Sequence, residues 1–516
     1  MADDGVIIGK GPEGPIQLRL DKANRHGLVA GATGTGKTVT LQVLAEGFAA
    51  AGVPVFAADV KGDLSGIAAP ATPNEKLLAR AEKLGVSITP QGAPTLFWDV
   101  FREHGHPVRT TISEMGPILL ARLLELSEAE EGVLTIAFHV ADKEGLLLLD
   151  LDDLQAMLAN IGENAKAIGL KYGHVASSSL GTIQRKLLTL RTQGAENFFA
   201  EPALQLADLM RTGRDGRGYV SILAADQLIE NPRLYSTFLL WLLSELFEEL
   251  PEAGDLDRPK LVFFFDEAHL LFRDAPKPLL EKVEQVVRLV RSKGVGIYFV
   301  TQNPADIPET VLAQLGNRIQ HALRAYTPTE QEGLRAASKS FRANPAFDTA
   351  TAIQECGVGE ALVSVLDEKG APTVVERTLI RPPNSRIGPV NDLERQGVMA
   401  SSPVAGLYDQ PMNRESAYET LLARAEEKAA PATAVPTGGG LPRPAEDDYR
   451  EPPRRRPEPR YEERYDPEPR YREPPRRRAS SRQSVGETLV KQIARTAGST
   501  ITREIMRGIF GSMRRR

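Results

Sequence analysis

The stretch GATGTGKT (residues 31–38) decides the fold, because it matches the pattern G-x-x-x-x-G-K-[ST] at every position. The apolar run HGLVA before it predicts a strand, and VTLQVLAEGFAAAG after it has the apolar spacing of a helix. The glycines allow positive φ angles that turn backbone N–H groups toward phosphates. The start of the following helix adds a positive dipole. The stretch therefore predicts a phosphate-binding loop, which this context favours over a chance match in a glycine-rich loop.

Two side chains of this loop have separate expected roles. Lys37 supplies a positive charge for the β- and γ-phosphates, and Thr38 supplies a hydroxyl oxygen for Mg²⁺. The expected cofactors are therefore ATP and Mg²⁺. The residues expected to bind the nucleotide are Gly31, Thr33, Gly34, Thr35, Gly36, Lys37 and Thr38.

A second stretch, KLVFFFDEAHLL (residues 260–271), places two adjacent acids directly after an apolar strand. Asp266 is expected to hold the Mg²⁺ shell together with Thr38. Glu267 is expected to accept a proton from the attacking water, a general-base role that needs a carboxylate beside the γ-phosphate. An acidic pair of this kind can also form an exposed turn or cap a helix. Its combination with the phosphate-binding loop favours ATP hydrolysis.

A third stretch, GVGIYFVTQNP (residues 294–304), is another buried strand that ends in polar residues, Thr301 and Gln302. Gln302 is the expected sensor of the γ-phosphate or of the attacking water, since an amide can both donate and accept hydrogen bonds. The alternative is a polar residue that simply ends a strand.

Composition indicates an ordinary globular protein. Of 516 residues, 41% are hydrophobic and 25% are charged, and the net charge of −5 does not suggest a general polyanion binder. Cys356 is the only cysteine, so no internal disulfide forms and a reducing, cytoplasmic location is expected. We find no signal peptide and expect no transmembrane segment, because the most apolar stretch, residues 238–250, contains three glutamates and predicts a core helix.

The order of apolar runs predicts an α/β fold with a mainly parallel sheet flanked by helices. Residues 1–72 are expected to form a hairpin and the first half of this core, and residues 214–390 the second half. Residues 73–213 have mostly helical patterns and are expected to form a helical insertion. The strand candidates are VIIGK and PIQLRL in the hairpin, then GLVAGA, VPVFAADV, RGYVSILAA, KLVFFFDEA and VGIYFVTQN.

The end of the chain has a different character. Residues 391–482 are expected to be a poorly ordered linker, because much of the segment is Pro, Arg and Glu. Residues 483–516 have apolar residues at four-residue spacing among basic ones, which predicts a basic amphipathic helix. Its target could be a membrane surface, a partner protein or the rest of the assembly.

The stretches HGLVAGATGTGKT, ADVKGD, FFFDEAHLLF, RLVRSKGVGIYFVTQNPADIP and LGNRIQHALRAYTP together resemble the HerA/FtsK-type P-loop ATPases. The resemblance is closest to the bacterial HerA-helicase-like (YjgR-like) proteins and covers about residues 5–390. It implies a RecA-like core, a homo-oligomeric ring that is a hexamer, and DNA threaded through the ring.

The resemblance also implies an arginine that reaches the γ-phosphate of a neighbouring subunit and stabilises the transition state. Arg291 is the first candidate and Arg318, in GNRI, is the second. The alternative is that both are ordinary surface or interface charges. Asp59, Lys61 and Asp63, in DVKGD, are expected near the phosphates without an assigned role.

Three functions stay open at this point. The first is a ring ATPase that translocates on or remodels DNA. The second is a ring ATPase of the same build that acts on a protein or membrane-associated complex, and the third is a slow nucleotide-dependent scaffold. The sequence has no zinc finger or helix-turn-helix pattern that would indicate DNA directly. DNA-stimulated turnover would distinguish the first function from the others.

Overall fold

The computed structural model describes residues 5–254, 256–272 and 277–429. Residues up to Ala423 belong to one compact unit, and of a second unit only residues 424–429 are described. The strands of the described part are β1 (Gly5–Gly11), β2 (Gly14–Arg19), β3 (Gly27–Ala30), β4 (Val55–Asp59), β5 (Thr95–Asp99), β6 (His106–Pro107), β7 (Val220–Ala224), β8 (Leu261–Phe265), β9 (Val295–Thr301), β10 (Asn317–Gln320), β11 (Glu360–Ser364) and β12 (Glu376–Ile380).

These strands form a single mainly parallel sheet in the order β2-β1-β12-β11-β10-β3-β9-β8-β4-β7-β5-β6. Every neighbouring pair from β10 to β6 is parallel, whereas β1, β2, β11 and β12 pair antiparallel. Strands β3, β4, β8 and β9 are buried along their whole length. Parallel strands covered on both faces are expected to be mostly apolar, and these are apolar except for Asp59 and Thr301, the last residues of β4 and β9. Their carboxyl ends share one edge, where ligands bind in sheets of this type.

The helices of the described part follow the strands along the chain. They are α1 (Lys37–Ala50), α2 (Glu75–Leu84), α3 (Ile112–Leu123), α4 (Glu128–Glu144), α5 (Leu151–Glu163), α6 (Ala165–Tyr172), α7 (Ser177–Thr192), α8 (Leu206–Leu209), α9 (Pro232–Glu249), α10 (Lys277–Val290), α11 (Glu309–Leu312), α12 (Pro328–Lys339), α13 (Thr349–Glu355), α14 (Asp392–Ala400) and α15 (Ala417–Ala429). None of the described helices is both long enough and apolar enough to span a bilayer.

Helices cover both faces of the sheet. On one face, α1 places Phe48 5.9 Å from the ring of Tyr298 and 6.4 Å from that of Phe264. On the other face, α9 and the helices between α3 and α7 share a core with Phe263, the neighbour of Phe264 in β8. Side chains alternate across a strand, so adjacent phenylalanines of β8 serve opposite cores. The sheet is therefore the central layer of an α/β fold.

Local capping explains where α3 and α5 begin. The Thr111 hydroxyl accepts a hydrogen bond from Glu114 N at 3.1 Å, while the Glu114 carboxylate accepts from Thr111 N at 3.2 Å. Asp150 and Asp153 form the same reciprocal arrangement at the start of α5. Such capping boxes satisfy N–H groups that have no partner inside the helix.

The predicted strands are confirmed, but the predicted helical insertion contains more than helices. The hairpin candidates form β1 and β2, and the other five candidates form β3, β4, β7, β8 and β9. Residues 73–213 also contain β5 and β6, which extend the sheet beyond β7. The core helix predicted at residues 238–250 lies in α9. Strand β5 was missed because it follows a stretch with Pro90, Gly92 and Pro94 in a segment of mostly helical pattern, and β6 was missed because it has only two residues. The domain boundaries themselves stay predictions.

The prediction of poor order from residue 391 onward is wrong for residues 391–429. We call residues 401–416 the strap. In it, the ring of Tyr408 packs edge-on against Trp98 at 5.4 Å, and its hydroxyl contacts Asp208. Arg414 forms a two-pronged ion pair with Glu201 at 2.8 and 2.9 Å. The prediction of poor order rested on the polar composition of the wider segment, which does not indicate the few residues that anchor the strap. The predictions for residues 430–482 and for the basic helix in residues 483–516 fall outside the described residues.

Candidate active site

The phosphate-binding loop lies where the sequence predicts it, between the end of β3 and the start of α1. Gly31 has φ +151°, and a Cβ there would meet Cβ of His321 at 2.5 Å. Gly36 is the residue before α1, with φ +113°, and a Cβ there would lie 3.3 Å from Cα of Gly359. A larger residue would be strained at either position, so both glycines are needed for the shape of this loop.

Neighbouring strands hold the loop in place through its backbone. Gly31 N donates to Thr301 O at 3.2 Å, Ala32 N donates to Ala322 O at 2.8 Å, and Gly359 N donates to Thr35 O at 2.9 Å. These bonds involve the last residue of β9 and the segments that follow β10 and α13. The loop is thus positioned by parts of the chain far apart in sequence.

His321 supports the loop from behind, and sequence reasoning missed it. Its ring Nε2 lies 2.9 Å from the hydroxyl of Thr40 in α1, and its Nδ1 lies 2.9 Å from the carbonyl of Glu360. Burial lowers the pKa of His321 to about 4, with the Lys37 charge acting in the same direction. The ring is therefore neutral at physiological pH. Its position after β10 would have been the only signal in the sequence.

The loop fits a nucleotide phosphate chain. Gly36 has no side chain to cap α1, and the first N–H groups of a helix have no partner inside it. Thr33 and Gly34 are exposed at the tip of the loop, whereas Thr35 is buried and Thr38 is half-buried at the start of α1. These donors and the positive end of the helix suit an anion.

Lys37 points back along the loop. Its ammonium donates to the carbonyls of Gly31 at 2.7 Å and Ala32 at 3.2 Å. Its pKa is lowered, first by burial and then by the charge of Lys61, although Glu267 and Asp266 act in the opposite direction. The ammonium is thus placed beside the loop and close to the two acids that follow β8.

Asp266 and Glu267 directly follow β8, at the same edge of the sheet. Asp266 Oδ1 accepts from Glu267 N at 2.9 Å, and the hydroxyl of Tyr235 donates to Asp266 O at 2.8 Å. Burial, and next the charge of Glu267, raise the pKa of Asp266 to about 6. A cation beside Asp266 would favour its ionised form. Together with the Thr38 hydroxyl, this carboxylate suits Mg²⁺, which takes one or two protein oxygens and completes its shell with phosphates and water.

Glu267 has a strained backbone and a crowded carboxylate. Its φ of +47° and ψ of +46° are left-handed, a conformation that costs roughly 1–3 kcal/mol and is most often kept at functional sites. Gln302 Nε2 donates to both carboxylate oxygens at 3.3 and 3.4 Å. Lys61 Nζ lies 3.4 Å from Oε1, and His269 Nδ1 lies 3.3 Å from Oε2. The structure thus brings Glu267, Gln302 and Lys61 together.

Asp59 lies at the end of β4 and is 4% exposed. Burial raises its pKa to about 7, with further contributions from the charges of Asp63 and Asp266. Its Oδ2 accepts from Leu64 N at 3.1 Å. Asp59 therefore fixes the loop that carries Lys61. We predicted from the sequence that this loop lies near the phosphates, but no role could be predicted for its residues.

The two candidate arginines lie at the opposite edge of the sheet. Arg291 is exposed in the short 3-10 turn before β9, a strand whose length, at ~3.3 Å per residue, is roughly 20 Å. Arg318 lies early in β10 and donates to the carbonyls of Leu315, Ser340 and Leu312 at 3.1, 2.7 and 2.9 Å. Neither arginine is brought to the phosphate-binding loop of its own chain.

A cavity of about 1450 Å³ lies away from the phosphate-binding loop. Residues of β1, the outer face of α1 and the loop before β8 line it. None of Gly31, Lys37, Asp266, Glu267 or Gln302 lines it. This cavity is therefore not the candidate active site, which consists of the residues around the phosphate-binding loop.

Comparison with known proteins agrees with this geometry. A family described as "Helicase HerA-like C-terminal" matches residues 6–516. A curated protein, "Probable helicase MJECL08" of Methanocaldococcus jannaschii, is 30% identical over 125 residues. That match covers 23% of this chain and only 22% of that protein.

Solved structures show the same fold at low identity. The plasmid coupling protein TrwB in complex with the non-hydrolysable GTP analogue GDPNP is 13% identical, with a TM-score of 0.51 over 75% of this chain and 91% of that one. The same protein in complex with the ATP analogue ADPNP is 14% identical, with a TM-score of 0.50 over 75% of this chain and 92% of that one. At this identity the likeness concerns the fold alone.

Proposed function

Because this chain belongs to the HerA-like helicase C-terminal family, we propose that it is a Mg²⁺-dependent ATPase that works as a ring-shaped motor on DNA. One observation supports hydrolysis most strongly. Glu267 is buried and strained beside the phosphate-binding loop, and Gln302 holds its carboxylate from the next strand. A residue in so costly a conformation is more readily explained by catalysis than by stability.

In the proposed reaction, the loop and α1 bind the phosphates through backbone N–H groups, and Lys37 leaves its own carbonyl partners for the β- and γ-phosphates. Thr38 and Asp266 would hold Mg²⁺, which would neutralise charge on the phosphate oxygens. Glu267 takes the proton of the attacking water as the bond to the leaving ADP breaks. Gln302 orients that water, and both products, ADP and phosphate, then leave.

The ring is proposed from the position of the arginines. Arg291 is exposed at the edge of the sheet opposite its own loop, so it could stabilise the transition state only in a neighbouring subunit. Arg318 satisfies three carbonyls of its own chain, which favours a structural role. We therefore propose a homo-oligomer, a hexamer by family resemblance, with Arg291 acting between subunits.

DNA is proposed as the polymer because the family description and the name of the curated relative both refer to helicases. A cytoplasmic location is proposed because the only cysteine, Cys356, is a buried free thiol, as is usual in reducing compartments.

The test is steady-state ATP turnover of the full chain without DNA, with single-stranded DNA and with double-stranded DNA. Sedimentation with and without ATP would report the oligomer. The proposal expects turnover that rises with DNA and an assembly of six subunits. Turnover that is indifferent to DNA would contradict the DNA motor and favour a protein or membrane-associated target. Slow turnover that no polymer stimulates would favour a nucleotide-dependent scaffold.

A further inference from the structure

Lys61 lies in the loop after β4, the strand next to β8 in the sheet. The backbone of this loop is fixed, because Asp59 Oδ2 accepts from Leu64 N and Ser65 Oγ donates to the carbonyl of Gly62 at 2.8 Å. The side chain of Lys61 is nevertheless 41% exposed. A firmly anchored backbone thus carries a long ammonium side chain that has room to change partners.

The present partner of Lys61 is the proposed general base. Lys61 Nζ lies 3.4 Å from Glu267 Oε1, and the Glu267 side chain is only 6% exposed. Glu267 is held by the end of β8 and by Gln302, so it is the fixed member of the pair. An ammonium on this oxygen competes with the proton that the carboxylate must accept from water. Lys61 thus occupies one of the two oxygens of the proposed base in the structure.

The charges around Lys61 indicate where it can go. Burial lowers its pKa, but Asp266 and Glu267 together outweigh this effect, so the pKa is raised and the side chain stays charged. Lys61 follows β4, Glu267 follows β8, and the loop that carries Lys37 follows β3. These parallel strands end on the same side of the sheet, so both ammonium groups lie on the side where the loop would bind phosphates. Their repulsion would be relieved by an anion placed between them.

We propose that Lys61 senses the γ-phosphate: it stays on Glu267 when ADP is bound and transfers to the γ-phosphate of ATP, which frees Glu267 as the base. This inference rests on the proposed ATPase function. The γ-phosphate offers three charged oxygens, a stronger partner than a carboxylate shared with Gln302 and His269. Lys37 and Lys61 then hold the terminal phosphate from two sides. Glu267 is therefore free to act as the base only when the bound nucleotide has a γ-phosphate.

The first test is nucleotide binding by the full chain in Mg²⁺, with ADP and with a non-hydrolysable ATP analogue. The Lys61→Met variant should bind the analogue about 10-fold more weakly, because a charge-assisted hydrogen bond to the γ-phosphate is lost, while its affinity for ADP stays unchanged. Lys61→Arg should restore most of the difference. Lys22→Met is the control, because Lys22 pairs with Asp21 at 2.8 Å in the turn before β3, at the opposite edge of the sheet.

If Lys61→Met bound ADP and the ATP analogue more weakly to the same extent, the inference would be overturned, and Lys61 would only maintain the shape of the loop. Unchanged affinity for both nucleotides would also overturn it, because the contact of Lys61 with Glu267 would then be incidental. The second readout is ATP turnover, which should fall in Lys61→Met and recover in Lys61→Arg. If the wild type hydrolyses ATP and Glu267→Gln does not, the proposed ATPase function is supported, regardless of the result for Lys61. A wild-type chain that neither binds nor hydrolyses ATP would instead contradict the proposed function itself.

Discussion

At the scale of single residues, Arg318 shows how geometry separates two candidates of the same type. Each of its guanidinium nitrogens donates to a carbonyl oxygen of the same chain. Burial lowers its pKa, yet an arginine stays charged in proteins, so the carbonyls around it stabilise a permanent cation. Arg291 is exposed and is the first residue of the 3-10 turn that leads into β9.

We predict that Arg318→Ala lowers the free energy of unfolding by about 2–3 kcal/mol, because it leaves partly buried carbonyls without their donor. Urea denaturation would measure this. Arg291→Ala is the matched comparison and should leave stability within about 0.5 kcal/mol while reducing turnover. If Arg318→Ala were as stable as the wild type but inactive, Arg318 would be the arginine that acts between subunits.

Residues of the site that obey a local rule could be predicted from the sequence, and those that depend on distant partners could not. Lys37, Thr38, Asp266 and Glu267 follow strands at the spacing that phosphate and Mg²⁺ binding require. His321 supports the loop through contacts with α1 and β11, and Lys61 meets its partner 206 positions further along the chain. Their roles arise only when the sheet brings these segments together.

At the scale of elements, the strap joins the β5–β6 edge of the sheet to the helices around α8. Tyr408 is its main anchor, with its ring on Trp98 and its hydroxyl between the Asp208 carboxylate and Gln205 N, to which it lies at 3.1 Å. Burial, followed by the bond to Asp208, raises the pKa of Tyr408. The hydroxyl is therefore protonated and can donate at physiological pH.

We predict that Tyr408→Phe lowers the free energy of unfolding by about 1–3 kcal/mol, because it removes the donor to a largely buried carboxylate. Thermal or urea unfolding would show the change. Tyr418→Phe is the control, since Tyr418 is 45% exposed in α15 and its loss of a hydroxyl should change little. Equal stability of the two variants would argue that the strap is held by its backbone bonds instead.

Elements were predictable where their apolar run was long and bounded by turns. Strands β3, β4, β8 and β9 are apolar except for the last residues of β4 and β9, Asp59 and Thr301, and this is typical of the centre of a parallel sheet. Strand β6 has two residues, and the strap has no regular period, so neither leaves a pattern to recognise. The strap is ordered by single side chains, such as Tyr408 and Arg414, in a segment of polar composition.

At the scale of the whole molecule, stability should depend on pH through buried histidines. His26, at the start of β3, is 1% exposed, and its Nδ1 accepts a hydrogen bond from Ile297 N at 3.0 Å. Burial is the main cause that lowers its pKa to about 4, from about 6.5 in an unfolded chain. The unfolded state therefore binds a proton between these values while the folded state does not. Its contribution is complete above pH 6.5 and is lost as pH falls toward 4.

We predict that His26→Asn is less stable than the wild type at pH 7 and that this difference shrinks by up to about 3 kcal/mol on going to pH 4.5. Asparagine is chosen because the backbone at position 26 has φ +58°, which asparagine tolerates. Urea titrations of both proteins across this range would measure the two slopes. Parallel slopes would mean that His26 does not titrate between folded and unfolded states as its burial indicates.

The most direct test of Glu267 as the general base is ATP hydrolysis by the wild type and by Glu267→Gln in Mg²⁺, together with a binding assay for the same nucleotide. We predict that the variant loses turnover by at least about 100-fold, the size typical of a lost general base, while ATP still binds. Full turnover in the variant would contradict the assignment of Glu267 as the base. Loss of binding together with turnover would assign Glu267 to the architecture of the site.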